Sequence, residues 1–135
     1  MRFILVAGIA FALVILGSRY VRSNGLRKGK PMVEEATSLI SRGSLVIDVR
    51  QEACQGYVKG AHLISIDYIL AKAPKALDQF QKLNPDKNKP MAFYCTVGGR
   101  AGKVIKAMQE LGYTNLQNLG GVGDYYDEKF MEKCK

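Results

Sequence analysis

The sequence predicts an α/β domain in which a central parallel sheet is flanked by helices. Three observations carry that expectation. Short apolar runs of strand length alternate along the chain with amphipathic stretches at helical spacing. The runs are nearly continuous in apolar residues, as befits strands buried on both faces. And 135 residues are enough for one compact core but too few for two ordinary ones.

Hydrophobic residues make up 47% of the chain, which overstates that core. Much of the share lies in residues 3–16, too apolar for the outside of a globular domain. Residues 3–18 carry no charge and would form a helix about 24 Å long, between a signal-peptide core and a full membrane span. Leu16-Gly17-Ser18 is a poor cleavage site, so residues 1–18 are expected to form an N-terminal hydrophobic helix, an uncleaved membrane anchor rather than a signal sequence. One arginine precedes it and five basic residues follow: Arg19, Arg22, Arg27, Lys28 and Lys30. The positive-inside rule then places the domain in the cytoplasm on a single-pass anchor, whereas cleavage would leave it periplasmic or secreted. Residues 19–30 read as a basic linker suited to anionic lipid head groups. The net charge is +8, but elsewhere lysines mix with acids and no basic face is interleaved with aromatics, so no nucleic-acid partner is expected.

Residues 31–135 form the expected domain. Pro31 opens a helix in which Met32, Val33, Ala36, Leu39 and Ile40 share one stripe, Glu34 and Glu35 fall in the first turn, and Gly43 follows the end. Leu45-Val46-Ile47-Asp48-Val49 is a buried strand whose Asp48 needs either an exposed strand end or a partner. Residues 50–60 are loop-like, and Leu63-Ile64-Ser65-Ile66 is a second strand. Residues 67–83 read as helix broken near Pro74. A strand from Met91 closes at Cys95, after which Ala101, Val104, Ile105, Met108 and Leu111 stripe the clearest helix, stopped by Gly112. Residues 116–119 form a last strand before Gly120-Gly121-Val122-Gly123, and residues 124–135 are expected as a terminal helix.

In a parallel sheet the site lies at the carboxyl ends of the strands. Asp48-Val49-Arg50 and the stretch from Cys95 to Arg100 both lie there. Gly98 and Gly99 allow the backbone to curl, and the following helix directs amides and the positive end of its dipole toward Cys95, surroundings suited to a thiolate. Taken alone, this loop allows sulfur, phosphate or nucleotide chemistry. A P-loop is incomplete: its first glycine would fall at Val97, and Val104 stands where a hydroxyl is needed. A cysteine protease needs a histidine base, and the single histidine, His62, is best read as a surface or strand-edge residue. Cys54, Cys95 and Cys134 lack zinc-site spacing, so no metal is expected, and their odd number leaves at least one thiol free.

Leu45-Val46-Ile47-Asp48-Val49-Arg50, Gly60-Ala61, Phe93-Tyr94-Cys95 with its glycine loop, Leu111-Gly112-Tyr113 and Gly120-Gly121 follow one another in an order that resembles a single-domain rhodanese, a thiosulfate sulfurtransferase-like family. The resemblance spans residues 31–126 and implies the rhodanese-like fold. It implies that Cys95 is the nucleophile, that the amides of Thr96, Val97, Gly98, Gly99 and Arg100 cradle its sulfur, and that Arg100 and Lys103 attract a small anionic sulfur donor. The acceptor would be a thiol or cyanide, and no cofactor is required. Related phosphatases and arsenate reductases keep five residues between cysteine and arginine; here there are four, which suits a sulfur atom better than a tetrahedral oxyanion.

In the resembling family Asp48 and Arg50 border the cleft. Asp48 would orient loop groups and Arg50 would assist anion binding, with a structural ion pair as the alternative. The segment from Arg50 to Gly56 is shortened, Tyr57 replaces a common histidine, and the tryptophan often found after Gly120-Gly121 is absent. Cys54, on the same rim, is read first as an incidental thiol, with attack on a Cys95 persulfide or a disulfide to Cys95 as the alternative. The sequence thus predicts a sulfurtransferase working through a Cys95 persulfide. The alternatives are a protein-to-protein persulfide relay and a non-catalytic rhodanese-like binding module.

Overall fold

The computed structural model describes residues 21–22, 27–71 and 74–135. Its core is a parallel sheet in the order β1-β7-β6-β3-β5, with β2 also paired to β7. These strands are β1 (Val21–Arg22), β2 (Arg27–Lys28), β3 (Leu45–Asp48), β5 (His62–Leu63), β6 (Met91–Cys95) and β7 (Leu116–Gly121). Among the described residues four helices accompany them: α1 (Lys30–Ser41), α2 (Ile66–Leu70), α3 (Pro74–Leu83) and α4 (Gly99–Glu110). A separate antiparallel ribbon joins β4 (Tyr57–Val58) to β8 (Met131–Glu132).

Successive side chains of a strand point to opposite faces, and here both faces are covered. Leu45, Ile47, Met91, Phe93 and Cys95 pack with Ile69, Phe80, Val104, Ile105 and Met108 of the α2–α4 layer. Val46, Ala92 and Tyr94 pack on the other side with Met32, Val33 and Ala36 of α1, and with Val58 and Met131 of the ribbon. Double coverage explains why the strands read as unbroken apolar runs. It also places Cys95 and Tyr94 on opposite faces.

Several boundaries differ from the sequence reading. Helix α1 starts at Lys30, with Pro31 in its first turn as expected, but Glu34 and Glu35 lie beyond that turn. The second strand ends at Leu63, because the Ser65 hydroxyl accepts the Asp67 amide at 3.4 Å and caps α2 from Ile66. The helix from residue 67 is broken before Pro74, as expected. Within the stretch read as a basic linker, the described residues 21–22 and 27–28 form β1 and β2, which lie along β7. Pairing through backbone groups covers an edge that β7 would otherwise present, and the charged side chains do not prevent it.

The tail forms no helix. The Asp127 carboxylate accepts the Lys129 amide at 2.9 Å, an Asx turn that competes with helix, and β8 then pairs with β4. A disulfide joins Cys54 to Cys134. The suggested exchange of Cys54 with Cys95 is therefore corrected: Cys54 is held by Cys134, and Cys95 is the free thiol.

The expected N-terminal hydrophobic helix, residues 1–18, lies outside the described residues. Single-pass membrane attachment with a cytoplasmic domain is not upheld. Among the described residues no helix is long and apolar enough to cross a membrane. The Cys54–Cys134 cross-link, moreover, is of a kind that is rare in the cytoplasm and persists in oxidising surroundings.

Candidate functional site at the carboxyl end of the sheet

Cys95 ends β6 and is fully buried. The chain then turns through Thr96, Val97 and Gly98 into α4. Gly98 has φ 102°, a left-handed conformation that disfavours a side chain, and its amide donates to Cys95 Sγ at 3.0 Å. Gly99 and Arg100 form the first turn of α4, so the helix N-terminus faces the loop as the sequence implied.

Strand β7 supports this loop from behind. Cys95 lies in register with Gly121. The Val122 amide donates to the Cys95 carbonyl at 2.9 Å and the Gly123 amide to the Thr96 carbonyl at 3.0 Å. A side chain at position 121 would overlap the Thr96 carbonyl and the Val97 amide, so only glycine lets the two segments approach. Asn118 Nδ2 donates to the Gly98 carbonyl at 3.0 Å while its Oδ1 accepts the Gly120 amide at 2.9 Å. Asn118 is a residue the sequence reading missed; a polar side chain between apolar positions of a strand was its signal.

Glu52 was missed as well. It lies in the loop after β3, and its carboxylate accepts from Arg100 Nη2 at 2.6 Å, Arg100 Nη1 at 3.1 Å and the Thr96 hydroxyl at 3.0 Å. Arg100 Nη2 also donates to Thr96 Oγ1 at 2.7 Å. The Arg100 hydrogen bond, with smaller help from Thr96, holds the Glu52 carboxyl at about 2, below the ordinary carboxylate range. Glu52 in turn raises Arg100, and Cys95 is near enough to add to that effect. Val97 is 57% exposed on the loop crest. Lys103 is exposed one turn along α4 and forms no ion pair among the described residues.

Asp48 and Arg50 make a separate, buried cluster. Arg50 Nε and Nη2 donate to the Asp48 carboxylate at 3.0 and 2.6 Å, and Nη2 also donates to the Gly56 carbonyl at 2.6 Å. Burial lowers the Arg50 pKa, but the hydrogen bonds and charge of Asp48 outweigh it, leaving it raised. The Arg50 guanidinium lies 5.8 Å from the centre of the Tyr94 ring, and the Tyr94 oxygen accepts the Val58 amide at 3.0 Å. Burial, then the Asp48 charge, pushes the Tyr94 phenol well above its ordinary range. This cluster ties β3 and β6 to β4 on the Tyr94 face, while the Cys95 side chain packs on the opposite one. Asp48 thus has its partner in Arg50. Half-buried His62 lies on edge strand β5, where the sequence reading put it, and exposed Cys54 lies in a 3₁₀ turn, Ala53–Gln55. The Tyr57 hydroxyl donates to Glu132 at 3.0 Å across the ribbon.

With this geometry, the loop can hold a nucleophilic sulfur against an amide and beside a guanidinium, without a histidine base. Comparisons with known proteins agree with this fold. The rhodanese-like domain family matches residues 32–128. Thiosulfate sulfurtransferase PspE of Escherichia coli K12 is 32% identical over 80 residues, covering 58% of this chain and 70% of PspE. The solved structure of an E. coli rhodanese with anions superposes with a TM-score of 0.54 at 27% identity, over 68% of this chain and 100% of that one. A rhodanese-like domain protein from Staphylococcus aureus gives a TM-score of 0.57 at 27% identity, over 76% and 95% of the two chains. Sheet order, cysteine loop and family match converge, and the chain belongs to the rhodanese family.

Proposed function

We propose that the protein is a sulfurtransferase that carries sulfane sulfur as a persulfide on Cys95, taking it from thiosulfate or a similar small anionic donor and passing it to a thiol or cyanide. The observation that carries this reading is the free Cys95 thiol with the Gly98 amide 3.0 Å from Sγ, at the N-terminus of α4. The Cys95 thiolate attacks the outer sulfur of thiosulfate; a new S–S bond forms, the donor's S–S bond breaks, and its electron pair leaves with sulfite. In discharge, the acceptor attacks the outer sulfur of the persulfide, and the electron pair of the broken bond returns to Cys95. Loop amides suit both sulfur anions because they supply fixed dipoles that need no reorganisation. Lys103 adds positive charge at the rim, and Arg100 offers its guanidinium to an anionic donor that exchanges with Glu52. Asp48 and Arg50 support the site by holding the ends of β3 and β4.

Relay to a protein thiol is a second reading, favoured by Val97: an apolar side chain 57% exposed beside the nucleophile suits contact with a partner surface. Intact mass after thiosulfate treatment tests the proposal. One added sulfur on the wild type and none on Cys95→Ser is the expected result. No gain on the wild type would point to a non-catalytic binding module, and fast discharge to one protein thiol with slow discharge to cyanide would favour the relay.

A further inference from the structure

A feature the rhodanese motifs do not account for is the clasp in which Glu52 takes both terminal nitrogens of Arg100 and the Thr96 hydroxyl. We propose that Glu52 is a specificity-determining residue that occupies, from within the chain, the guanidinium edge an anionic donor would use, so that such donors must exchange with it before reaching Cys95. The inference deepens the sulfur-carrier reading and rests on it only for the identity of the donor.

Three observations support it. The carboxylate grips Arg100 through a two-nitrogen fork, the geometry by which a guanidinium binds planar oxyanions. Cys95 is fully buried while Arg100 and Glu52 are a third or more exposed, so the clasp, not the sulfur, meets an arriving donor. And Glu52 stays charged at any working pH, because its carboxyl is held at about 2 by Arg100; mild acid does not relieve the competition. The turn bearing Glu52 is itself tethered, since Cys54 two residues on is bridged to Cys134 and its carbonyl accepts the Cys134 amide at 3.1 Å. An uncharged donor gains nothing from Arg100 and is therefore not in competition with Glu52. The site discriminates against small oxyanions relative to uncharged sulfane donors such as a dialkyl trisulfide.

Alkylation of Cys95, the free thiol, tests this without calling on sulfur transfer. Rates with iodoacetate, an anion, and iodoacetamide, its neutral counterpart, are measured on the wild type, Glu52→Gln and Glu52→Ala, with the Cys54–Cys134 bridge intact. The proposal expects the iodoacetate-to-iodoacetamide rate ratio to rise by about threefold to fivefold in both variants, the scale of one partly exposed ion pair. Where thiosulfate loads the wild type, its KM falls by the same factor in both variants while kcat stays level. A ratio that is unchanged, or that falls, in both variants overturns the proposal, whatever the thiosulfate mass experiment shows. If neither the wild type nor the variants gain sulfur but the variants show the raised ratio, the sulfur-carrier reading is defeated and the role of Glu52 stands.

Discussion

A single methyl group at position 121 decides whether the Cys95 loop can close. Gly121 has no left-handed backbone requirement; what it supplies is space, because a Cβ there would overlap the Thr96 carbonyl and Val97 amide. Gly121→Ala should push the loop outward, with a stability loss of about 1–3 kcal/mol from overpacking. Misplacing a reacting group by about 1 Å can cost about 100-fold in rate, so persulfide formation should fall on that scale. Denaturant midpoints and the rate of sulfur gain by intact mass check the two effects. Gly99→Ala is the contrast: nothing lies within 4 Å of its Cβ position and the site is helical, so its midpoint should be unchanged or raised. Sequence alone marked Gly120-Gly121 as part of a family pattern. The packing of β7 against the Cys95 loop explains why the second glycine is there.

Among the elements, the β4–β8 ribbon and its disulfide have the largest reach. They secure the tail to the loop that presents Glu52, and they place Val58 and Met131 over the Tyr94 face of the sheet. The bridge spans a sequence separation of 80, a long loop in the unfolded chain. Replacing both cysteines, Cys54→Ser with Cys134→Ser, should lower stability by about 2–4 kcal/mol, read as a lower denaturant midpoint, while Cys95 keeps its thiol titre. Reducing agent should shift the wild type toward the midpoint of the double variant and leave that variant unmoved. β1 and β2 show the opposite relation between sequence and element. Their composition looks like a charged linker, yet their backbones pair with β7, and Gly120 makes room because a side chain there would overlap the backbone of Arg27.

For the molecule as a whole, Glu52 sets a pH dependence of stability whose sign is defined. Its carboxyl titrates at about 2 in the folded chain against 4.5 for the ordinary group, so the folded state binds the proton less readily than the unfolded one. The contribution is complete above pH 4.5 and is lost as the pH falls toward 2. Both partners are a third or more exposed, so solvent screening limits it to roughly 1 kcal/mol or less. The gap in denaturant midpoint between wild type and Glu52→Gln should therefore be constant from neutrality to about pH 5 and should close by about pH 2. A gap that persists at the acid end would mean that the glutamine disturbs packing rather than charge.

Much of the fold was legible because its strands and helices are local patterns. Apolar runs at strand length, the Val104-Ile105-Met108 stripe, Pro31, Pro74 and Gly98 each act on neighbours within a few residues. The candidate nucleophile stood out for the same reason, since strand, cysteine, glycines and arginine are contiguous from Met91 to Arg100. What the tertiary structure decided was pairing across distance. It joined Cys54 to Cys134, seated Glu52 on Arg100, and turned the tail into a strand. It also put Asp48 and Arg50 on the sheet face opposite the Cys95 side chain. None of these follows from spacing, because the partners of a thiol, a carboxylate or a strand edge are chosen by which groups the closed fold brings within bonding distance. Sequence determined the sheet and the position of the sulfur atom; the folded chain determined which groups surround it.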